Sequence, residues 1–552
     1  MKDAALWFAA DPSRYRIVAY GLLVAFAACG VAGAISTRAD RALSGRWATV
    51  AFLALGLLAL AGGRWPTFFV KDSLNNDEGQ AVAQAITALH FPTPWLGFDG
   101  NTCGPLNTYV LDIPALFGAP ITFFSTRIVN VFLEFGAVFG MYAALATTVS
   151  KRVARLAAIG PIAFFALSAE AHYLQYAGET MSLFLASACV AYIAGIARWK
   201  HPAIAAFAAG LFVGGIPFAK LQAAPIAIAL GALALFVALA RDGTGAWKLR
   251  RGTATIAGVL VAPAVLLGWA FAAGSFSDFW YAYILSALGY ILPTEQPLEF
   301  LTASTEVGPY FDCLIAVAAL GAGALAVLRP RRLSGTQYSY LAALFILAAT
   351  IDAIYSPRRA SLNYLLFAIV PVAGAAGASL DVLFEAFKGR TIVRIAAPAF
   401  AIASIAFAPV ASFFSPYPWL GSVPDYYESG PNPVTAMVER YVRPGDRMAI
   451  WGWRPQYFVF TDTIMGTRDS ISHYQQTDSY NPYFAYFRKR YITDMQTIRP
   501  RAFLDAGPDS FDFQYGTRNG HEDFPELAAV IREHYRLADS YKSFRLYLRD
   551  RD

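Results

Sequence analysis

Charge is what this sequence is short of. Asp, Glu, Lys and Arg make up 15% of its 552 residues, where a soluble chain of this size carries about 25%. Cysteine and histidine are scarce too, at four and six, and the cysteines show no metal-ligand spacing. Cys29 and Cys189 fall inside apolar runs and read as small core residues. Cys103 and Cys313 fall on a common side of the topology derived below, so pairing between them stays open. The net charge of +6 is no sign of nucleic-acid binding, because most of the basic residues sit in short gaps between apolar runs, where they set orientation in a bilayer.

What fills the space left by charge is hydrophobic, at 57% of the chain. Apolar runs near the length of a hydrocarbon core recur from Ile17 to Phe413. They predict spans near 17–35, 48–63, 126–149, 153–169, 180–197, 203–218, 222–240, 254–273, 309–328, 338–354, 362–384 and 392–413. After Phe414 the composition becomes that of a soluble domain. The expected architecture is a polytopic α-helical membrane protein of about twelve helices (1–413), followed by a C-terminal α/β domain (414–552).

The gaps sort by charge. Alternate gaps on one side hold 18 basic residues, among them Arg38, Arg41, Lys151, Arg155, Arg198, Arg241, Arg251 and Arg394. The short gaps on the other side hold only Lys220, Arg358 and Arg359. The basic side is cytoplasmic by the positive-inside rule. The 64–125 loop, the 274–308 loop and the tail from 414 are therefore expected outside, at a cytoplasmic (inner) membrane. Basic residues against that rule suggest an anionic ligand.

Three outer stretches carry chemistry. In the first, Asn75-Asn76-Asp77-Glu78 opens an expected surface helix to Leu89, with Glu78 in the first turn, where the helix dipole favours an anion. The plainer role for Asp77 is to cap that helix. In the second, His172, Tyr176 and Glu179 are spaced to share a helix face, and a carboxylate at membrane depth implies a polar cavity or a partner. The third runs from Ile351 to Pro371 and holds Arg358, Arg359, Asn363 and Tyr364. A guanidinium fork suits a phosphate, and Lys220 adds a point charge. Snorkelling to lipid headgroups is the plainer account of these cations. Together the stretches describe an outward cavity with carboxylates for proton transfer and cations for a phosphate leaving group.

The order of these motifs resembles the GT-C class of membrane glycosyltransferases, most nearly the protein O-mannosyltransferase-like family and the lipid A aminoarabinose transferases. The likeness rests on the Asp77-Glu78 pair, the segment Phe98-Asp-Gly-Asn101-Thr-Cys-Gly104-Pro105-Leu106, Glu179, the Pro217-Phe-Ala-Lys220 turn, and Arg359, Tyr364, Leu365, Leu366 and Pro371. It implies a polyprenyl-phosphate-linked sugar donor, an acceptor that is a glycan, lipid or protein, and inversion at the anomeric carbon. It also implies Asp77 as general base with Glu78 orienting a neighbour, Glu179 supporting the base or the acceptor, and Lys220, Arg358, Arg359 and Tyr364 at the donor phosphate. His172, Tyr176, Asn101 and Asn363 are expected to line the cavity. No metal is obligatory, although an acidic pair can hold a divalent cation. Gly104 departs from the lysine of the aminoarabinose enzymes, and two spans rather than one precede the acidic pair.

In the tail, helices are expected at 432–441 and 524–535 and strands at 447–453, 501–505 and 544–549. His473, His521 and His534 are too scattered for a metal site. Trp451, Trp453, Tyr457 and Phe458 read as core before acceptor groove. The competing function is a transporter or flippase for an anionic lipid-linked substrate. It leaves the acidic pair and the outer tail without a role.

Overall fold

The computed structural model describes residues 12–168, 170–289, 307–328, 333–359, 361–387, 391, 395–404, 432–476, 482–506 and 520–550. Ten helices among them are long and apolar enough to cross a membrane. With the shorter helices that position the site, they are numbered as follows: α1 Pro12–Ile35, α2 Arg46–Phe68, α3 Asn76–Ala88, α4 Pro105–Tyr109, α5 Phe123–Thr148, α6 Lys151–Leu167, α7 Gly178–Arg198, α8 Pro202–Ala219, α9 Ala224–Ala240, α10 Gly245–Ala272, α11 Val307–Leu328, α12 Gly335–Tyr355 and α13 Leu366–Phe387. The chain is a multi-pass membrane protein.

Eleven of the twelve expected spans have a helix. The last, 392–413, lies within the described residues only as Ile395–Ser404. The boundary at 413/414 and part of the 274–308 loop lie outside them. Helix α6 is 17 residues long and is enclosed by α1, α2, α5 and α13, so that every residue from Val153 to Leu167 is buried. Where helix packs on helix in lipid, small residues bring the backbones close. On α8, Gly210 and Gly214 are buried against the backbone at Thr255 and Val259 of α10.

The basic gaps converge on one end of the bundle. Lys151 donates to Ser44 O at 2.8 Å, Arg155 pairs with Asp40, and Arg251 donates to Arg241 O at 2.6 Å. All four cysteines are free, so Cys103 and Cys313 do not pair.

Residues 432–550 add helices α14 Pro433–Glu439, α15 Gln456–Phe460, α16 Phe484–Thr497 and α17 Pro525–His534. Their strands are β1 Arg447–Trp451, β2 Ile464–Met465, β3 Ala502–Asp505, β4 Tyr535–Tyr541 and β5 Phe544–Arg549. The sheet order is β2-β1-β3-β5-β4, parallel from β2 through β1 to β3 and antiparallel from β3 through β5 to β4. Period-2 alternation divides its faces. Met448, Ile450, Leu504 and Leu546 pack against Ala83, Ala88 and Phe98 of the long loop after α2. Ala449, Trp451 and Phe503 pack against Tyr491, Leu527 and Ile531. Trp451, Tyr457 and Phe458 are buried core.

Two arginines pin the sheet unit to the helical body. Arg490 binds Asp99 of the long loop at 2.7 Å and Asp469 of its own unit. Arg468 binds Asp494 at 2.7 Å and Asp278, just after α10, at 3.0 Å. Replacing Arg490 by methionine leaves two buried carboxylates without a counter-charge. Removal of one partner from a buried pair costs roughly 3–5 kcal/mol, so R490M is expected to lower the thermal unfolding midpoint sharply, measured by fluorescence in detergent. An unchanged midpoint would contradict the clamp.

Candidate functional site

Of the expected site residues, Asp77 meets Asn363, and Glu179 and Tyr364 meet Lys220, near the contact of the helical body with the sheet unit. Helix α3 starts there because the Asn75 side chain accepts from the Asp77 backbone N–H at 3.2 Å. Asn75 is thus the cap, and the Asp77 carboxylate is left for other contacts. Asp77 is half-buried and accepts from Asn363 Nδ2 at 3.0 Å. Burial raises its pKa above the usual carboxylate range. Lys220 opposes that rise, Glu179 adds to it, and His172 and the Asn363 hydrogen bond also oppose it.

Glu179 and Lys220 form a buried ion pair through Glu179 Oε1. The Lys220 ammonium also lies 5.3 Å from the centroid of the Tyr364 ring, within range of a cation–π contact. Glu179 Oε2 has no hydrogen-bond partner among the described residues. Two glycines allow this close assembly. The backbone at Cys103 and Gly104 bridges to the backbone at Ala219 and Lys220, with Gly104 N–H donating to Ala219 O at 2.8 Å, and a Cβ at Gly104 would strike Phe218 O. A Cβ at Gly178 would lie 2.5 Å from Cys103 Sγ. Glycine at 104, where the aminoarabinose enzymes have lysine, is therefore required by this packing. Arg359 is buried, and Arg358 is exposed, with a left-handed backbone, φ 54°.

Other expected residues sit differently. His172, Tyr176 and Glu179 do not share a helix face. The helix Ala171–Leu174 stops, Gln175 and Ala177 are extended, and α7 begins at Gly178. The local spacing held no signal for that break, which follows from the packing at Gly178. His172 pairs with Glu170 at 2.8 Å. Tyr176 is buried, and its hydroxyl donates to Asn107 O at 2.7 Å. Glu78 turns away from Asp77 and receives Arg127 Nε and Nη2 at 2.9 and 2.7 Å. The same guanidinium donates to Thr67 O, Val70 O and Asp72 O, so this pair fixes the entry to α3. Asn101 is buried in a left-handed conformation, φ 55°.

A buried polar chain supports Asp77 from below. Arg64 binds Glu134 at 2.7 Å, and Asn130 Nδ2 donates to Glu134 Oε1 and Gln175 O, both at 3.0 Å. Gln175 Nε2 reaches Asn363 Oδ1 at 3.4 Å, and Asn363 holds Asp77. Arg64, Arg127 and Glu134 are missing from the expected site. Their signal in the sequence is charge within or beside apolar runs.

Below the site a groove of about 710 Å³ opens between α5, α7, α9, α12 and α13. Leu183, Ile226 and Phe367 line it near Glu179, Lys220 and Tyr364, and Arg198 and Arg241 line its far end. From Leu183 to Arg198 it follows α7 for about 22 Å at 1.5 Å per residue.

The Asp77–Glu78 pair offers only Asp77 to a cation, because Glu78 is bound by Arg127. Among the described residues one group brings three metal-ligand atoms together. Asp505, His521 and Glu522 in the sheet unit bring one ligand atom each within 4.8 Å of one another. The Arg545 guanidinium already binds both of those carboxylates, which fits a cation poorly.

No family model and no curated protein matches the sequence. Solved structures do resemble the fold. ArnT from Cupriavidus metallidurans in the apo state matches with a TM-score of 0.55 at 12% identity, over 91% of this chain and 98% of that one. ArnT bound to undecaprenyl phosphate matches at 0.53, with the same identity and coverage. The archaeal oligosaccharyltransferase AglB from Archaeoglobus fulgidus, in complex with an inhibitory peptide and a dolichol-phosphate, matches at 0.48 and 13% identity, over 92% and 75% of the two chains. This chain, a bundle of apolar helices with a sheet unit at 432–550, thus has the fold of ArnT.

Proposed function

We propose that this protein transfers a sugar from a polyprenyl-phosphate carrier to an acceptor hydroxyl, on the side of the membrane that bears the sheet unit. The observation that carries the reading is the convergence of Asp77 with the Lys220–Glu179 pair, with Glu179 four residues along α7 from Leu183, which lines an apolar groove. A cation for a phosphate and a carboxylate for a proton stand together where a lipid chain can leave into the bilayer. ArnT, which has this fold, has been captured with undecaprenyl phosphate. The 18 basic residues of the opposite gaps support an orientation with the site outside the cytoplasmic membrane.

In this reading the donor phosphate lies against Lys220, with Arg358, Arg359 and Tyr364 completing its surroundings and the isoprenoid chain following the groove. The acceptor O–H gives its proton to the Asp77 carboxylate as the oxygen attacks the anomeric carbon. The bond from that carbon to the phosphate oxygen breaks, and the electron pair leaves on polyprenyl phosphate, whose growing charge Lys220 stabilises. A single displacement inverts the anomeric carbon. Glu179 holds Lys220 charged and in place, Asn363 orients Asp77, and the Glu78–Arg127 pair fixes α3. Lys220 supplies the positive charge at the phosphate, so turnover is expected to survive EDTA.

Purified protein assayed on polyprenyl-phosphate sugars is expected to lose roughly a hundredfold or more in rate with Asp77→Asn, while still binding the donor. Retained turnover would move the base elsewhere. Lys220→Met is expected to weaken binding of undecaprenyl phosphate itself, and unchanged affinity would remove Lys220 from the donor site. The base acts only when ionised, and burial raises the Asp77 pKa. Activity should therefore fall on acidification at a pH above the ordinary carboxylate value of about 4. A rate that is flat through that region would contradict the assignment.

A further inference from the structure

The far end of the groove carries groups that a hydrocarbon chain has no use for. Ile193, Leu233 and Phe236 belong to its apolar wall, while Arg198, Arg241, Asp242 and Tyr338 line its end. Helix α7 fixes the depth of that end. It bears Glu179 in its first turn and Arg198 as its last residue, 21 residues in all. At 1.5 Å per residue it spans about 32 Å, close to the thickness of a hydrocarbon core. Arg198 therefore stands at headgroup level in the leaflet opposite the site.

The two arginines are held differently. Arg241 donates to Ile196 O and, at 3.2 Å, to Trp199 O, which caps the carbonyl end of α7. Arg251 donates in turn to Arg241 O at 2.6 Å. Arg198 is exposed and has no hydrogen-bond or ion-pair partner among the described residues. Its Nη2 lies against the start of α12, where a Cβ at Gly335 would come within 3.2 Å. Trp199 and Tyr338 are exposed, as aromatic residues are at a headgroup boundary. Phe236 on the groove wall is exposed too, so the groove is open to lipid along its side.

We propose that this end of the groove binds an anionic phospholipid of the leaflet opposite the sheet unit, with its phosphate on Arg198 and Arg241 and an acyl chain in the groove. This goes beyond the transferase reading and does not depend on it. An unpaired guanidinium offers a phosphate two parallel N–H donors, and basic pockets between membrane helices suit anionic headgroups. Two guanidinium groups against the one Asp242 carboxylate leave the lining positive. An anionic headgroup balances that charge, whereas a choline headgroup would bring a second cation to it. A free phosphate would leave the apolar wall uncovered. In the transferase reading the isoprenoid chain enters the same groove from Leu183, so the two lipids approach tail to tail from opposite leaflets.

The full chain in dodecylmaltoside would be titrated with dioleoyl phosphatidylglycerol, dioleoyl phosphatidylcholine and sn-glycerol 3-phosphate, and bound ligand counted by native mass spectrometry. Undecaprenyl phosphate would be titrated alongside. Wild type is expected to retain phosphatidylglycerol in preference to phosphatidylcholine, and not to retain sn-glycerol 3-phosphate. Arg198→Gln should weaken phosphatidylglycerol about fivefold, the worth of one arginine beside anionic lipid, with undecaprenyl phosphate affinity unchanged. Ala197 is exposed on the groove lining, and the bulk of Ala197→Phe should weaken phosphatidylglycerol as well. An arginine that only snorkels to bulk headgroups would not respond to that bulk. Phosphatidylglycerol held equally by both variants, no preference over phosphatidylcholine, or sn-glycerol 3-phosphate bound as tightly would overturn the site. Loss of undecaprenyl phosphate together with phosphatidylglycerol in Arg198→Gln would place the donor phosphate here, and would overturn both this proposal and the donor reading. Failure of wild type to bind undecaprenyl phosphate while it retains phosphatidylglycerol would overturn the donor reading alone.

Discussion

A lysine and a glutamate buried against each other, Lys220 and Glu179, hold this molecule's chemistry in place. Each alone would be an uncompensated charge among apolar helices, and removal of either partner from such a pair is strongly destabilising. The backbone around them is built for their approach: two glycines, 104 and 178, sit where any side chain would collide with the neighbouring segment. The long loop after α2, the break before α7 and the turn between α8 and α9 are thereby drawn to one point. Asp77 enters that point on a helix fixed by a second buried pair, Glu78 with Arg127, and by Asn363. Two buried charge pairs and one amide hydrogen bond hold the site before any ligand is present.

The sheet unit makes the other half of this arrangement. One of its faces packs on α3 and the loop beyond it, and Arg490 and Arg468 bind carboxylates of the body. It therefore rests on the acidic turn, with the backbones at Gly100 and Gln456 both against the start of α3.

Much of this was legible in the sequence, and the part that was not has a physical cause. Span position depends on local apolar length, so eleven of the runs could be read directly, ten of them matching helices long and apolar enough to cross a membrane. Strands β3 and β5 were equally plain, because both are continuous apolar or alternating segments. Strand β4 and helix α16 escaped, since Tyr535–Tyr541 and Phe484–Thr497 mix polar and apolar residues without a clean period. At the site, Asp77, Glu179 and Lys220 stood out as charges in the wrong medium. The spacing of His172, Tyr176 and Glu179 suggested a single helix, yet the chain is extended at Gln175 and Ala177 because Gly178 must meet Cys103. The commitment of Glu78 to Arg127 was hidden for a similar reason: its partner lies 49 residues away and only folding selects it.

The most direct test of this account is the structure of the protein in lipid nanodiscs with undecaprenyl phosphate bound. The account predicts the phosphate within hydrogen-bond distance of Lys220 Nζ and on the same side of the cavity as Asp77. It predicts the isoprenoid chain between α7 and α9, leading toward Arg198. A phosphate seated at Arg198 and Arg241 instead, or a chain that avoids the groove altogether, would contradict it.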